Sequence, residues 1–212
     1  MDFERARSYE QKRMRIGQIT KAARRLFELS KYEDITLAGI AKELSFTRAN
    51  LYKYVSTKEE IFLYIIAEDL KEWVDDVETK LTGIVNPETV EFSCLWAEIF
   101  DGHMELIKVL SLLYSIIEKN VSVDKLVQFK REFFSERQRV SNLLAKVFPE
   151  LGKEKIYKFL EMQMYFLTGL FPATTENEIQ IKAYEKLGIP YELPLFKDSY
   201  AEFIKILLNS ML

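Results

Sequence analysis

Residues 36–55, TLAGIAKELSFTRANLYKYV, decide how this chain folds. Leu37, Ile40, Ala41 and Leu44 fall at i, i+3, i+4 and i+7, one apolar stripe on a short helix. Ser45-Phe46 breaks the pattern, and Thr47 is placed to cap a second helix. At about 100° per residue, Leu51 and Val55 of that second helix point together into a small core. Ala49 and Lys53 point nearly opposite, with Asn50 and Tyr52 beside them and Arg48 and Tyr54 at the edges. The outward face therefore offers a small residue, an amide, phenols, a guanidinium and an ammonium. Those groups suit a DNA major groove: Arg for guanine, Asn for adenine, Tyr and Lys for phosphate.

The surrounding residues extend the pattern. Ile19, Ala22, Ala23, Leu26 and Phe27 form a preceding helix; Tyr32 and Thr36 connect it to Ile40-Ala41. Leu51-Tyr52, Tyr54, Thr57-Lys58-Glu59 and Phe62 follow. Over about residues 12–72 this order of residues resembles the TetR family of bacterial transcriptional regulators, which includes the tetracycline repressor. The resemblance implies an all-α fold. Residues 1–56 would form a three-helix helix-turn-helix DNA-binding domain, and residues 57–212 a helical ligand-binding and dimerisation domain, joined by a helix at 57–82. It also implies DNA contacts from Thr36, Thr47, Arg48, Ala49, Asn50, Tyr52, Lys53, Tyr54 and Lys58. Lys58 stands in the first turn of a helix, where the dipole disfavours a cation, so a phosphate partner is expected. Three departures stand out. Lys31 and Ser45 occupy positions where the family usually has glycine, so a different or strained cap is expected at Lys31, and at Ser45 a left-handed turn residue at a cost of about 1 kcal/mol. Ala38-Gly39 offers no side chain long enough to reach DNA where some relatives have one.

Charge is distributed unevenly. The 212 residues carry a net charge of −3, yet residues 1–60 hold 13 Lys and Arg against 9 Asp and Glu, and the remainder 17 against 24. A basic head on an acidic body fits DNA binding confined to one end. Arg5, Arg7, Lys12, Arg13 and Arg15 add cations that could touch phosphates or a minor groove, from an arm that is either frayed or a helical extension. The single cysteine, Cys94, excludes an intramolecular disulfide and a cysteine-based zinc site, and is expected as a reduced core thiol. No run approaches the roughly 18 apolar residues of a membrane helix, and MDFERARSYEQKRMR is not a signal peptide. A cytoplasmic location, away from membranes, is the expectation.

The rest reads as helices: about 12–29, 58–82, 87–101, 103–119, 124–148, 153–171, 179–187 and 196–212. Pro172 is expected to stop the seventh of these spans' predecessor, the apolar segment at 153–171. Apolar nearly all round, that segment is expected to be buried on more than one side. With the final helix it is expected to make a homodimer interface through Phe159, Met162, Phe166, Leu170, Phe203, Ile204, Leu207 and Leu208. The family resemblance implies the same four-helix arrangement. Trp96, Phe100, His103, Met104, Tyr114, Phe134, Met162, Tyr165 and Phe166 are candidate liners of a pocket for a small, largely apolar effector. A lone histidine makes no multi-His metal site, and no cofactor is expected.

No Gly-rich phosphate loop, H-E-x-x-H or Cys-His pair at metal spacing argues for an enzyme. The function expected is a DNA-binding transcriptional regulator: a repressor relieved by ligand, binding a palindromic double-stranded operator as a homodimer. The alternative is a helical interaction module or sensor without specific DNA binding.

Overall fold

The computed structural model describes residues 2–212, with side chains from residue 10 onward. The described residues are helical and loop throughout. Ten α-helices follow one another: α1 Asp2–Leu29, α2 Leu37–Glu43, α3 Arg48–Leu51, α4 Lys58–Leu81, α5 Thr89–Asp101, α6 Met104–Leu112, α7 Val123–Val147, α8 Lys153–Ala173, α9 Glu178–Leu187 and α10 Phe196–Asn209. Short 3-10 turns occupy Tyr32–Asp34 and Glu118–Asn120, and a π turn Leu113–Ile117 prolongs α6. None of the described helices is long and apolar enough to cross a membrane.

The chain divides into two compact units. Met1–Glu68 with Leu113–Glu132 form one, and Asp69–Leu112 with Phe133–Leu212 the other. Helices α4 and α7 therefore contribute residues to both.

In the first unit, Ile19, Ala22 and Ala23 of α1, Ile40 and Ala41 of α2, Leu51 and Val55 around α3, and Ile61, Phe62 and Ile65 of α4 are all buried. Phe27, Tyr32 and Phe62 meet edge to face, with ring centroids 4.9–6.3 Å apart. Arg24 pairs with Glu68 at 3.2 Å and Arg25 with Glu43 at 2.9 Å. The start of α4 is a reciprocal cap. The Glu60 amide donates to Thr57 Oγ1 (3.2 Å), and the Glu60 carboxylate accepts from the Ser56 amide (3.1 Å). Lys31 is extended (φ −69°, ψ 152°) and opens the 3-10 turn at Tyr32, so no left-handed cap is needed there: of the two expectations, a different helix end and not a strained one.

The second unit packs around aromatic rings. Trp73 lies 4.6 Å from Phe100 and 5.6 Å from Trp96; Phe92 stacks on Trp96 at 5.4 Å, and Phe159 and Tyr200 close the cluster. At its centre the buried Gln163 Oε1 accepts from Trp96 Nε1 (2.6 Å) and from the Tyr200 hydroxyl (2.7 Å). Burial drives the Tyr200 phenol well above its usual range. Arg139 of α7 bonds three carboxylates, Asp75 and Glu78 of α4 (2.8 and 2.7 Å) and Glu136 (2.7 Å). Hydrogen bonds from Arg139, then Lys71, hold the Asp75 carboxyl below its ordinary value.

Of the two alternatives for the N-terminal arm, the helical extension is the one seen: α1 begins at Asp2, and the side chains of Arg5 and Arg7 lie outside the described residues. Three expectations are corrected. The helix expected over 103–119 ends at Leu112 and widens into the π turn. Pro172 lies inside the final turn of α8, which runs on to Ala173 before Thr174 caps it. Cys94 is exposed, not a core thiol. On α5 the buried stripe is Phe92, Ser93, Trp96, Ala97, Ile99 and Phe100, and residue 94 falls on the opposite face.

Candidate nucleic-acid interface

Three local devices shape the interface. Thr36 caps α2, its hydroxyl oxygen accepting from the Gly39 amide at 3.1 Å. After α2 the chain reverses at Ser45, which takes the left-handed conformation (φ 55°) that the sequence led one to expect. The Phe46 amide donates to the Ala41 carbonyl (2.8 Å) and the Ser45 amide to the Lys42 carbonyl (3.1 Å), a Schellman closure with serine in the position glycine prefers. Thr47 then caps α3, accepting from the Asn50 amide at 3.2 Å.

Helix α3 is shorter than the spacing predicts. Regular α-helix covers only Arg48–Leu51; beyond it Lys53 and Tyr54 donate to carbonyls three residues back, tightening the chain into turns. The placement of side chains survives this change. Leu51 and Val55 are buried, at 0% and 2% exposure. Thr47, Arg48, Ala49, Tyr52 and Lys53 are exposed, Asn50 and Tyr54 half-buried, and Thr36 exposed at the start of α2. Among the described residues, the side chains of Arg48, Asn50, Tyr52 and Lys53 make no hydrogen bond or ion pair. The segment is thus pinned from below and unengaged above.

Lys58, expected to face a phosphate, is half-buried and has an internal partner. Its ammonium donates to the Tyr32 carbonyl at 2.6 Å and lies 4.1 Å from the centre of the Tyr32 ring. The Tyr32 hydroxyl in turn donates to Glu59 (3.0 Å). Burial first, and the Glu59 carboxylate second, raise the Tyr32 phenol above its ordinary value. Two features beside the interface were not foreseen. The Arg15 guanidinium sits 5.5 Å from the centre of the Phe46 ring, and Gln11 and Gln18 line a cleft with Lys53 and Tyr54. Residues 11, 15 and 18 follow helical spacing along one line of α1, about 90° round the helix from the buried Ile19 and Ala23, a pattern that could have revealed this polar strip.

The expected effector liners scatter. Trp96 and Phe100 are fully packed in the aromatic core. His103 bonds Asp76 at 3.3 Å, and it and Met104 are half-buried. Tyr114 belongs to the first unit, and Phe134, Met162 and Tyr165 are exposed. Phe166 stacks flat on Phe203, centroids 3.9 Å apart. Of the expected dimer residues, Phe159, Ile204, Leu207 and Leu208 fill the chain's own core, leaving almost no surface for a partner to cover. Met162, Phe166, Leu170 and Phe203 keep accessible surface. Among the described residues no group of three or more His, Cys, Asp or Glu is placed to hold a metal ion.

Comparison with known proteins places this geometry. Residues 67–212 match the tetracyclin repressor-like C-terminal domain, and residues 19–65 match the bacterial regulatory proteins of the tetR family. A crystal structure of a transcriptional regulator of the TetR/AcrR family from Thermobifida fusca YX-ER1 is similar at 18% identity, over 92% of this chain and 97% of that one, with a TM-score of 0.46. No curated protein matches the chain significantly. With two-thirds of its length matching one family description and its capped turn-and-helix segment matching the other, this chain is a member of the TetR family of DNA-binding transcriptional regulators.

Proposed function

We propose that this regulator binds a two-fold symmetric DNA operator as a homodimer and releases it when a small, largely apolar effector occupies the second unit. The observation that carries the DNA part is the unengaged outward set Arg48, Asn50, Tyr52 and Lys53 on a segment capped by Thr47 and anchored by Leu51. Arg48 and Asn50 are the base readers. Thr36, Thr47, Tyr52, Lys53 and Tyr54 position the backbone, and Ala49 allows close approach. Lys58 contributes its remaining N–H donors from the start of α4.

A head this small reads few base pairs, so a second copy on the same duplex raises affinity through effective concentration. The α8–α10 layer supports the pairing. Met162, Tyr165 and Ile206 remain 37%, 59% and 59% exposed on helices otherwise packed into the core. A second copy seated there would cover them. Effector response follows from differential affinity: a ligand that favours one arrangement of the two copies shifts DNA binding by the ratio of its affinities for the two states.

Duplexes selected from a random pool should contain inverted half-sites. On such a duplex Arg48→Ala should weaken binding about 5- to 150-fold, the equivalent of about 1–3 kcal/mol. Paired Met162→Glu and Tyr165→Glu substitutions should shift the protein toward monomer in sedimentation. Full-affinity binding by both Arg48→Ala and Tyr52→Ala at low salt would sink the recognition face, and a wild type that selects no duplex would favour an interaction module.

A further inference from the structure

Lys125 stands in the first turn of α7, where the helix dipole disfavours a cation. Its backbone amide donates to Ser122 Oγ at 3.4 Å, which fixes its place in that turn. Its side chain gives a reason for the placement. The ammonium donates to the Tyr64 hydroxyl at 3.0 Å, lies 5.4 Å from the centre of the Tyr64 ring and stands 3.9 Å from Glu60 Oε2. Glu60 and Tyr64 are one turn apart on α4, so one lysine engages both. Glu60 is only 4% exposed. A buried carboxylate is costly without a cation beside it, and α7 supplies one from 61 residues beyond Tyr64.

The contact lies wholly within the first unit, to which Leu113–Glu132 belong. The face of α7 with Lys125, Gln128 and Phe129 meets the face of α4 with Glu60 and Tyr64, around a void of about 20 Å³. That is far below the roughly 300 Å³ of a small-molecule site, so this is a packed contact and not an effector pocket. The match to the tetR-family regulatory-protein description ends at residue 65, so the family descriptions separate segments that the fold joins.

Glu60 connects this contact to the recognition segment. The Val55 amide closes that segment on the Leu51 carbonyl (3.3 Å), and the next amide, that of Ser56, closes on Glu60 Oε2 (3.1 Å). One carboxylate oxygen thus accepts from the residue that follows the recognition segment and faces the ammonium of α7. Val55 is buried, so the exit of the segment is held by one apolar anchor and one carboxylate. A carboxylate free to change rotamer would leave the apolar anchor alone.

We propose that Lys125 is a positioning residue for DNA recognition. From α7 it fixes the Glu60 carboxylate, and through the Ser56 amide it sets the orientation of Arg48 and Asn50 without touching DNA itself. The inference rests on the DNA-binding reading above and deepens it: residues 113–132, outside the helix-turn-helix, become a working part of the unit that reads DNA.

The test uses the full-length protein and a duplex selected by the wild type from a random pool. Lys125→Met removes the charge and keeps an unbranched stem. It should weaken binding at least about 5-fold. The slope of log K against log salt should stay at its wild-type value, whereas a lysine on a phosphate would lower it by about 0.9. Lys125→Arg should restore most of the affinity. Glu60→Gln removes the other charge, and the double variant Lys125→Met/Glu60→Gln should bind no more weakly than the weaker single variant, because both act through one contact. In the protein without DNA, Lys125→Met should shift the Ser56 amide resonance and speed its hydrogen exchange, while the Gly39 amide, bonded to Thr36, stays as it was.

Wild-type affinity in Lys125→Met would overturn the proposal. So would a lowered slope, which would make Lys125 a phosphate contact, or a loss in the double variant equal to the product of the single losses. A weaker affinity that accompanies a lower melting temperature, with the Ser56 resonance unmoved, would leave Lys125 a purely structural role and overturn it too. If Glu60→Gln does not fold, Lys125→Met and Lys125→Arg decide alone, through affinity, slope and the Ser56 resonance. A wild type that binds no duplex would remove the DNA-binding reading and this proposal with it; the Ser56 resonance, read without DNA, would still report whether the contact exists.

Discussion

The recognition segment and the α8–α10 layer place their polar and apolar groups in opposite senses. Around α3, Leu51 and Val55 go down and Arg48, Asn50, Tyr52 and Lys53 come up. On α8 a polar group, the Gln163 amide, lies at the centre of an aromatic core, while Met162 and Tyr165 of the same helix face outward. Exposed polar groups without partners fit an anionic, hydrogen-bonding surface. Exposed rings and thioethers fit another apolar one. One rule of burial thus yields two faces suited to different partners, and the sign of the exposed chemistry says which is which.

The contrast can be broken most sharply at its two amides. Gln163→Leu keeps the volume nearly constant but leaves Trp96 Nε1 and the Tyr200 hydroxyl without their acceptor. At about 1–3 kcal/mol for each orphaned donor, unfolding free energy in urea should fall by about 2–6 kcal/mol. Asn50→Leu, by comparison, should leave it within about 0.5 kcal/mol, because the outward amide has no internal partner. Equal losses at the two positions would erase the distinction. A smaller effect lies in the turn between α2 and α3. Ser45→Gly removes a left-handed serine and should raise stability by about 1 kcal/mol, read as a higher urea midpoint. Smallest at neutral pH is the effect of Tyr32, the polar ring that the head does bury. Its phenol is raised above the ordinary value by burial and by Glu59. A raised folded value means that the stability tied to the neutral phenol is intact below the unfolded pKa of about 10 and is lost as pH climbs past it. Stability should therefore decline above about pH 10, and Tyr32→Phe should flatten part of that decline across a urea series at pH 8–11.

Local chemistry was readable from the chain; long-range partnership was not. The cap at Thr47 acts within three residues, so spacing alone located it. Ser45 was expected in a left-handed turn because glycine usually stands there in the family that the chain resembles. Lys58 shows the limit. Its place in a first helical turn suggested an external anion, but spacing gave no sign that the Tyr32 carbonyl, 26 residues earlier in sequence, is also its neighbour in the fold. The body repeats the lesson. Helical periodicity gave the apolar face of α10, but Ile204, Leu207 and Leu208 face inward toward their own subunit, and no periodicity separates that from facing a twin. Cys94 departs from the general tendency of thiols to be buried: the helical stripe from Phe92 to Phe100 turns residue 94 outward.

That outward thiol has a practical consequence. The chain contains one cysteine, and it stands exposed on α5. A maleimide fluorophore or spin label would therefore attach at a single defined point of the unaltered protein. In a symmetric pair the two labels would form a built-in ruler, reporting the separation of the bodies as effector or duplex is added, with no residue changed to install it.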